Sequence, residues 1–181
     1  MKSPHPPSMT KITISAWTAQ ALERAGYNLN EVDLIKCIDE NKSKMLVYHA
    51  VLALRNLGTS KSLSTLKRTV NYPMDDVKVC SVLAIGAIAR EAETEYYASL
   101  LASPSFRHKV YAMAVIWEVG DDRAHQSVIA LAKKALGHKI KLHTYCDALY
   151  IAEYLDRFKD ETSKTLSANL KQLDIPYPSL R

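Results

Sequence analysis

Six histidines, three cysteines and two adjacent aspartate pairs are the side chains of this 181-residue chain that could hold a metal or move a proton. Their spacing argues against both uses. His138 and His143 stand five residues apart, a poor separation for one metal, and His108 and His125 fall in different segments. Cys37, Cys80 and Cys146 form no Cys-x-x-Cys and no Cys/His pair, which leaves them as reduced core residues. Asp75-Asp76 and Asp121-Asp122 recur at the starts of apolar helical runs, where a carboxylate caps the helix and complements its dipole. No serine sits in a nucleophile elbow, and no glycine-rich loop is available to cradle phosphate. The expectation is a chain without catalytic residues, metal or cofactor.

What positions these side chains is a repeat. Ala50–Gly58 (AVLALRNLG), Ser81–Ala89 (SVLAIGAIA) and Ala112–Gly120 (AMAVIWEVG) align without gaps at offsets of 31 residues. Leu54, Ile85 and Ile116 form one apolar column and Leu57, Ile88 and Val119 a second, while Ala53, Ala84 and Val115 stay small. A weaker copy precedes at Ala21-Leu22, and another follows at Ala148-Leu149-Tyr150, offset by 33. Five copies result. Each reads as two helices, the first carrying apolar residues at helical spacing (Val79, Val82, Leu83, Ile85, Ile88) and the second shorter (Leu63, Leu66, Val70; Val128, Ala132, Leu136). Asn30-Glu31-Val32-Asp33 starts one second helix, Ser103-Pro104 reads as an N-cap with proline at the first helical position, and Gly26, Gly58, Gly120 and Gly137 read as stops.

A lone hairpin of this length cannot bury its apolar stripe, whereas a stack of five shares one continuous core. The fold expected is therefore all-α, a right-handed α-solenoid of about five helical hairpins over residues 13–174, flanked by extended or disordered segments at 1–12 and 175–181. Composition agrees: 48% hydrophobic and 24% charged residues suit a globular core, and only 5 Gly and 7 Pro interrupt it. Residues 1–12 lack the apolar core of a secretory signal, and no stretch approaches the roughly 20 apolar residues of a membrane span, so a cytoplasmic protein is expected. A net charge of +5 permits an acidic partner without demanding one.

Asp75-Asp76-Val77-Lys78, followed by Val82-Leu83-Ala84-Ile85-Gly86-Ala87-Ile88, resembles the short HEAT-like repeat found in phycobilisome lyases and many bacterial proteins. Arg107-His108-Lys109-Val110 with Val119-Gly120-Asp121 resembles it as well. The likeness runs from about Ala16 to Gln172, with a period shorter than the roughly 40–47 residues of longer HEAT repeats. It departs where the family's helix-packing glycine, present as Gly86, is replaced by Arg55 and Trp117. Trp117 then either packs half-buried or anchors a partner.

In such a solenoid the second helices line the inner surface, here Lys61, Ser64, Thr65 and Arg68, then Glu91, Glu95, Tyr96 and Ser99, then Arg123, Gln126 and Lys133. Alternating charge with tyrosine suits a protein surface better than a phosphate backbone, which Glu91, Glu93 and Glu95 would repel. The resemblance implies a non-enzymatic protein-binding module, in its narrowest form an immunity protein that caps a nuclease-type bacterial toxin. Arg68, Glu95, Tyr96, Trp117 and Arg123 are the contacts expected under that reading. It also leaves a tetrapyrrole chaperone of the bilin-lyase kind, and a nucleic-acid-binding protein of the alkylpurine-glycosylase kind, as alternatives.

Overall fold

The computed structural model describes residues 13–138 and 145–173, and every regular element in them is a helix. The expectations for 1–12, 175–181 and His143, and for the side chain of Cys146, fall outside what it describes. In chain order the first helices of the copies are α1 (Ala16–Arg24), α3 (Lys44–Leu57), α5 (Asp75–Ala89), α7 (Lys109–Val119) and α9 (Tyr145–Leu155). They alternate with the second helices α2 (Glu31–Glu40), α4 (Leu63–Thr69), α6 (Thr94–Ala102), α8 (His125–Leu136) and α10 (Glu161–Lys171). Short 3-10 turns at Ser60–Ser62, Arg90–Glu93 and Asp122–Ala124 lead into α4, α6 and α8.

Some starts follow the capping rules, whereas α5 has Met74 at its cap and Asp75-Asp76 only as negative charge in its first turn. Ser15, Asn30 and Asp160 accept hydrogen bonds at 2.9–3.1 Å from the backbone N–H groups of Thr18, Asp33 and Ser163. Asp121 does the same for Arg123 at 3.1 Å. The stops divide into two kinds. Gly26 takes φ +84, a left-handed conformation that only glycine adopts without strain. Gly58 instead has ordinary φ and is required by close approach: a Cβ there would lie 2.6 Å from the Leu54 carbonyl oxygen and 2.7 Å from Ile88 Cδ1.

Ser103-Pro104 is a correction. α7 begins at Lys109, not at Pro104. The ammonium of Lys109 donates to the carbonyls of Leu101 and Ser103, both at 2.6 Å, closing the C-terminus of α6. Buried Phe106 then pins the intervening segment as a loop.

Packing gathers the helices into two compact units, the described residues from 13 to 93 and those from 94 to 173. In the first, α1, α3 and α5 lie side by side, and α2 and α4 rest against α3 and α5 and against each other. In the second, α7 and α9 lie side by side while α6, α8 and α10 form a row, with α6 against α7 and α8 and α10 against α9. Leu54 and Ile85 in the first unit and Ile116 in the second are fully buried, as their shared column requires. Each such side chain contributes about 1.5–3 kcal/mol by leaving water. The second column holds less well: Val119 is buried, but Leu57 at the end of α3 is 38% exposed. It is the last residue of the helix, so its side chain reaches past the next packed turn. At the replaced glycine, Arg55 stays buried and Trp117 is half-buried.

Candidate functional site

Two grooves run between successive second helices, one in each unit. The groove between α2 and α4 measures about 390 Å³ and is lined by Ile38, Asp39, Asn41, Arg68, Thr69 and Tyr72. The groove between α6 and α8 measures about 220 Å³ and is lined by Leu101, Ala102, Gln126, Ser127, Ala130, Leu131 and Lys134. The two occupy the same slot of the repeat. Asp39, Arg68, Thr69 and Tyr72 have counterparts 62 residues on, two periods later, in Leu101, Ala130, Leu131 and Lys134.

In the α2–α4 groove the polar groups bond to one another. Arg68 donates to the carboxylate of Asp39, and the Tyr72 hydroxyl donates to Oδ1 of Asn41. Asn41 closes α2 in the left-handed region (φ 48), its N–H bonded to the Cys37 carbonyl at 3.2 Å. The Thr69 hydroxyl donates to the Leu66 carbonyl at 2.8 Å and meets Ser81 Oγ at 2.7 Å. Beside the groove, Lys42 and Tyr27 bond to Glu40, and these two hydrogen bonds, Lys42's first, hold its carboxyl below the ordinary range.

The α6–α8 groove is different in kind. Leu101 and Leu131 form a buried apolar floor with exposed Ala102 and Ala130 at its edges. Lys134 stands exposed at its mouth and makes no ion pair among the described residues. Lys109, held on three backbone carbonyls of the α6 terminus, adds a second positive charge nearby. Burial, and then the Lys134 ammonium, push its pKa below the ordinary lysine value.

A polar column marks the starts of the second helices. Glu31, first residue of α2, accepts from Thr59 N–H at 2.7 Å, from the Thr59 hydroxyl at 3.0 Å and from the buried Ser62 hydroxyl, so it ties α2 to the turn that leads into the next second helix, α4. Burial alone would raise its carboxyl; the three hydrogen bonds outweigh that and hold it below its ordinary value. In the other unit the first residue of α8 is a histidine, His125, and its Nε2 lies 2.8 Å from the buried Ser163 hydroxyl. Asp160 Oδ2 lies 3.5 Å from the same nitrogen. A catalytic relay needs the carboxylate and the hydroxyl on opposite ring nitrogens. Here both face Nε2, Asp160 caps α10, and the imidazole stacks on Phe158 at 3.6 Å, so the cluster ties α8 to α10.

The structure gives the five expected contact residues separate settings. Arg68 lines the α2–α4 groove in the first unit. Glu95 is exposed on α6, and half-buried Tyr96 meets Tyr97 edge-on at 6.3 Å. Arg123 is held on Asp121 by contacts of 2.7 and 3.0 Å. Trp117 belongs to a first helix: its indole N–H donates to Glu153 at 2.8 Å, its ring tilts over Tyr150 at 5.4 Å, and Arg157 donates to its carbonyl. Among the other second-helix residues, Lys61, Ser64, Ser99, Gln126 and Lys133 are exposed, but Thr65 is a correction, being buried. Thr65 lies four residues before buried Thr69 and beside buried Leu66, so helical spacing puts it on the packed face of α4. The 31-residue spacing, applied twice, is the signal that would have found Asp39, Tyr72, Leu101 and Lys134.

Burial pushes the thiols of Cys37 and Cys80 up to about 11, which keeps both protonated and poor nucleophiles at neutral pH. Among the described residues no group of three or more His, Cys, Asp or Glu could hold a metal ion, and no helix is long and apolar enough to cross a membrane. No family model, curated protein or solved structure matches the chain.

Proposed function

We propose that this chain is a non-enzymatic protein-binding module, a stack of HEAT-like hairpins forming an α-solenoid whose second helices present the binding face. The observation that carries the reading is the pair of grooves between second helices, set in the same slot of the repeat two periods apart. Both are open surface features lined by side chains suited to recognition. Arg68, Glu95, Tyr96 and Arg123 lie on or beside the second helices and contribute the charged and aromatic rim that sets register. Trp117 supports that face from behind, through α9, instead of anchoring the partner.

The narrower reading is toxin neutralisation: the occupant of the face is a toxin domain and the chain its immunity protein. It rests on the resemblance to short HEAT-like bacterial proteins. Affinity capture from the native host, with the charge-reversed double variant Arg68→Glu/Lys134→Glu as control, tests the general reading. A protein retained by the native chain and lost with the variant is expected; capture unchanged by the variant contradicts it. A toxin gene beside this one, whose product is inhibited by the purified chain, is expected under the narrower reading.

A further inference from the structure

We infer that the α6–α8 groove is the partner's anchor point and that it receives an acidic protein segment, seating one apolar side chain on Leu101 and Leu131 and a carboxylate against Lys134. The inference rests on the protein-binding reading and adds the chemistry of the occupant. Its basis is the contrast in electrostatic state between two equivalent slots. In the α2–α4 groove the guanidinium of Arg68 already has Asp39 and the hydroxyl of Tyr72 already has Asn41, so an incoming charge must displace an internal partner. In the α6–α8 groove the counterpart of Asp39 is Leu101 and the counterpart of Arg68 is Ala130. That exchange removes the internal ion pair and opens an apolar floor, while Lys134 replaces Tyr72 and brings a cation with no partner among the described residues.

One positive charge, Lys134, therefore lines a small apolar hollow, and a second, Lys109, lies beside it. The Lys109 ammonium is consumed by the carbonyls of Leu100, Leu101 and Ser103, so it acts through its field alone. Its pKa is lowered first by burial and then by the repulsion from Lys134. A carboxylate placed beside Lys134 would relieve that repulsion, which gives charge complementarity with an acidic segment. The hollow of about 220 Å³ has room for an aliphatic side chain on its apolar floor. A nucleic acid running along the second helices would meet the carboxylates of Glu95, Asp121 and Asp122, which repel phosphate.

The test is a methyl NMR titration of the full chain with two soluble peptides of equal length, one of Glu and Leu and one of Lys and Leu, and with a short DNA duplex. The Glu/Leu peptide is expected to shift the Leu101, Ala130 and Leu131 methyl signals, with affinity falling at least about tenfold in Lys134→Glu. Ala130→Arg, which fills the hollow from an exposed position, is expected to abolish the shifts while leaving the helical spectrum intact. Shifts induced equally by the Lys/Leu peptide or by the duplex, or no shift at these methyls, overturn the inference. Capture of a native protein through the second helices that is lost with Arg68→Glu but insensitive to Lys134→Glu overturns it too, while leaving the protein-binding reading standing.

Discussion

The two units place the same backbone slot beside different chemistry. Between α2 and α4 the groove is polar and closed on itself, with Arg68 against Asp39 and Tyr72 against Asn41. Between α6 and α8 the equivalent positions carry Leu101, Ala130, Leu131 and Lys134, so the floor is apolar and the charge is left open. A repeat fixes where a groove falls, because the apolar column that builds each hairpin must recur at the same interval. It does not fix what the groove recognises. The exposed positions are free of packing constraints, and exchanging a few side chains turns a self-satisfied slot into one that wants a partner.

The sharpest break of this comparison is at equivalent interior positions of the two units. Leu54→Ala in the first unit and Ile116→Ala in the second are each expected to cost about 2–5 kcal/mol in urea denaturation, because both side chains are fully buried. A negligible cost at either would mean that the columns are not equivalent. Next come the stop glycines. Gly58→Ala and Gly120→Ala bring a Cβ within 2.6 and 2.7 Å of the carbonyls of Leu54 and Ile116, and about 1–3 kcal/mol is expected for each. Gly137→Ala, whose nearest neighbour is 3.2 Å away at an ordinary negative φ, should change stability by about 0.5 kcal/mol or less.

In the first unit the polar column makes stability depend on pH. Glu31→Ala strips the partners from buried Ser62 and from the Thr59 N–H, at an expected cost of about 1–3 kcal/mol. The Glu31 carboxyl sits below its unfolded value of 4.5, so its contribution is fully present above that pH and is lost as pH falls through the folded value. Acid denaturation of the native chain should therefore show a drop below about pH 4.5 that Glu31→Ala lessens. The smallest effect belongs to Arg68 and Asp39, exposed at 62% and 50%. A double-mutant cycle is expected to give about 0.2–1 kcal/mol, shrinking with salt.

Much of the helical order was legible because burial imposes it: Leu54, Ile85 and Ile116 could be aligned by eye, and Asn30 announces α2 by its capping chemistry. Ser103-Pro104 misled because its local preference for a helix start yields to a tertiary contact, the Lys109 ammonium reaching back to the α6 carbonyls. Thr65 misled because it shares the packed face of α4 with Thr69, four residues on, although both are polar. For the candidate site, Arg68 was recognisable as an exposed charge on a second helix, but its partner Asp39 lies 29 residues away. Trp117 drew attention by its size, yet its hydrogen bond to Glu153, 36 residues on, makes it part of the first-helix row. Grooves arise between helices adjacent in space, and periodicity within one helix does not reveal them.

The central claim is that partners meet the second helices. Photo-crosslinking in the native host tests it directly, with a benzophenone side chain placed singly at exposed Ser64 on α4, Gln126 on α8 or Gln20 on the first helix α1. Adducts to one protein from Ser64 or Gln126, and none from Gln20, are predicted. Adducts from Gln20 alone, or from no position, would contradict the account.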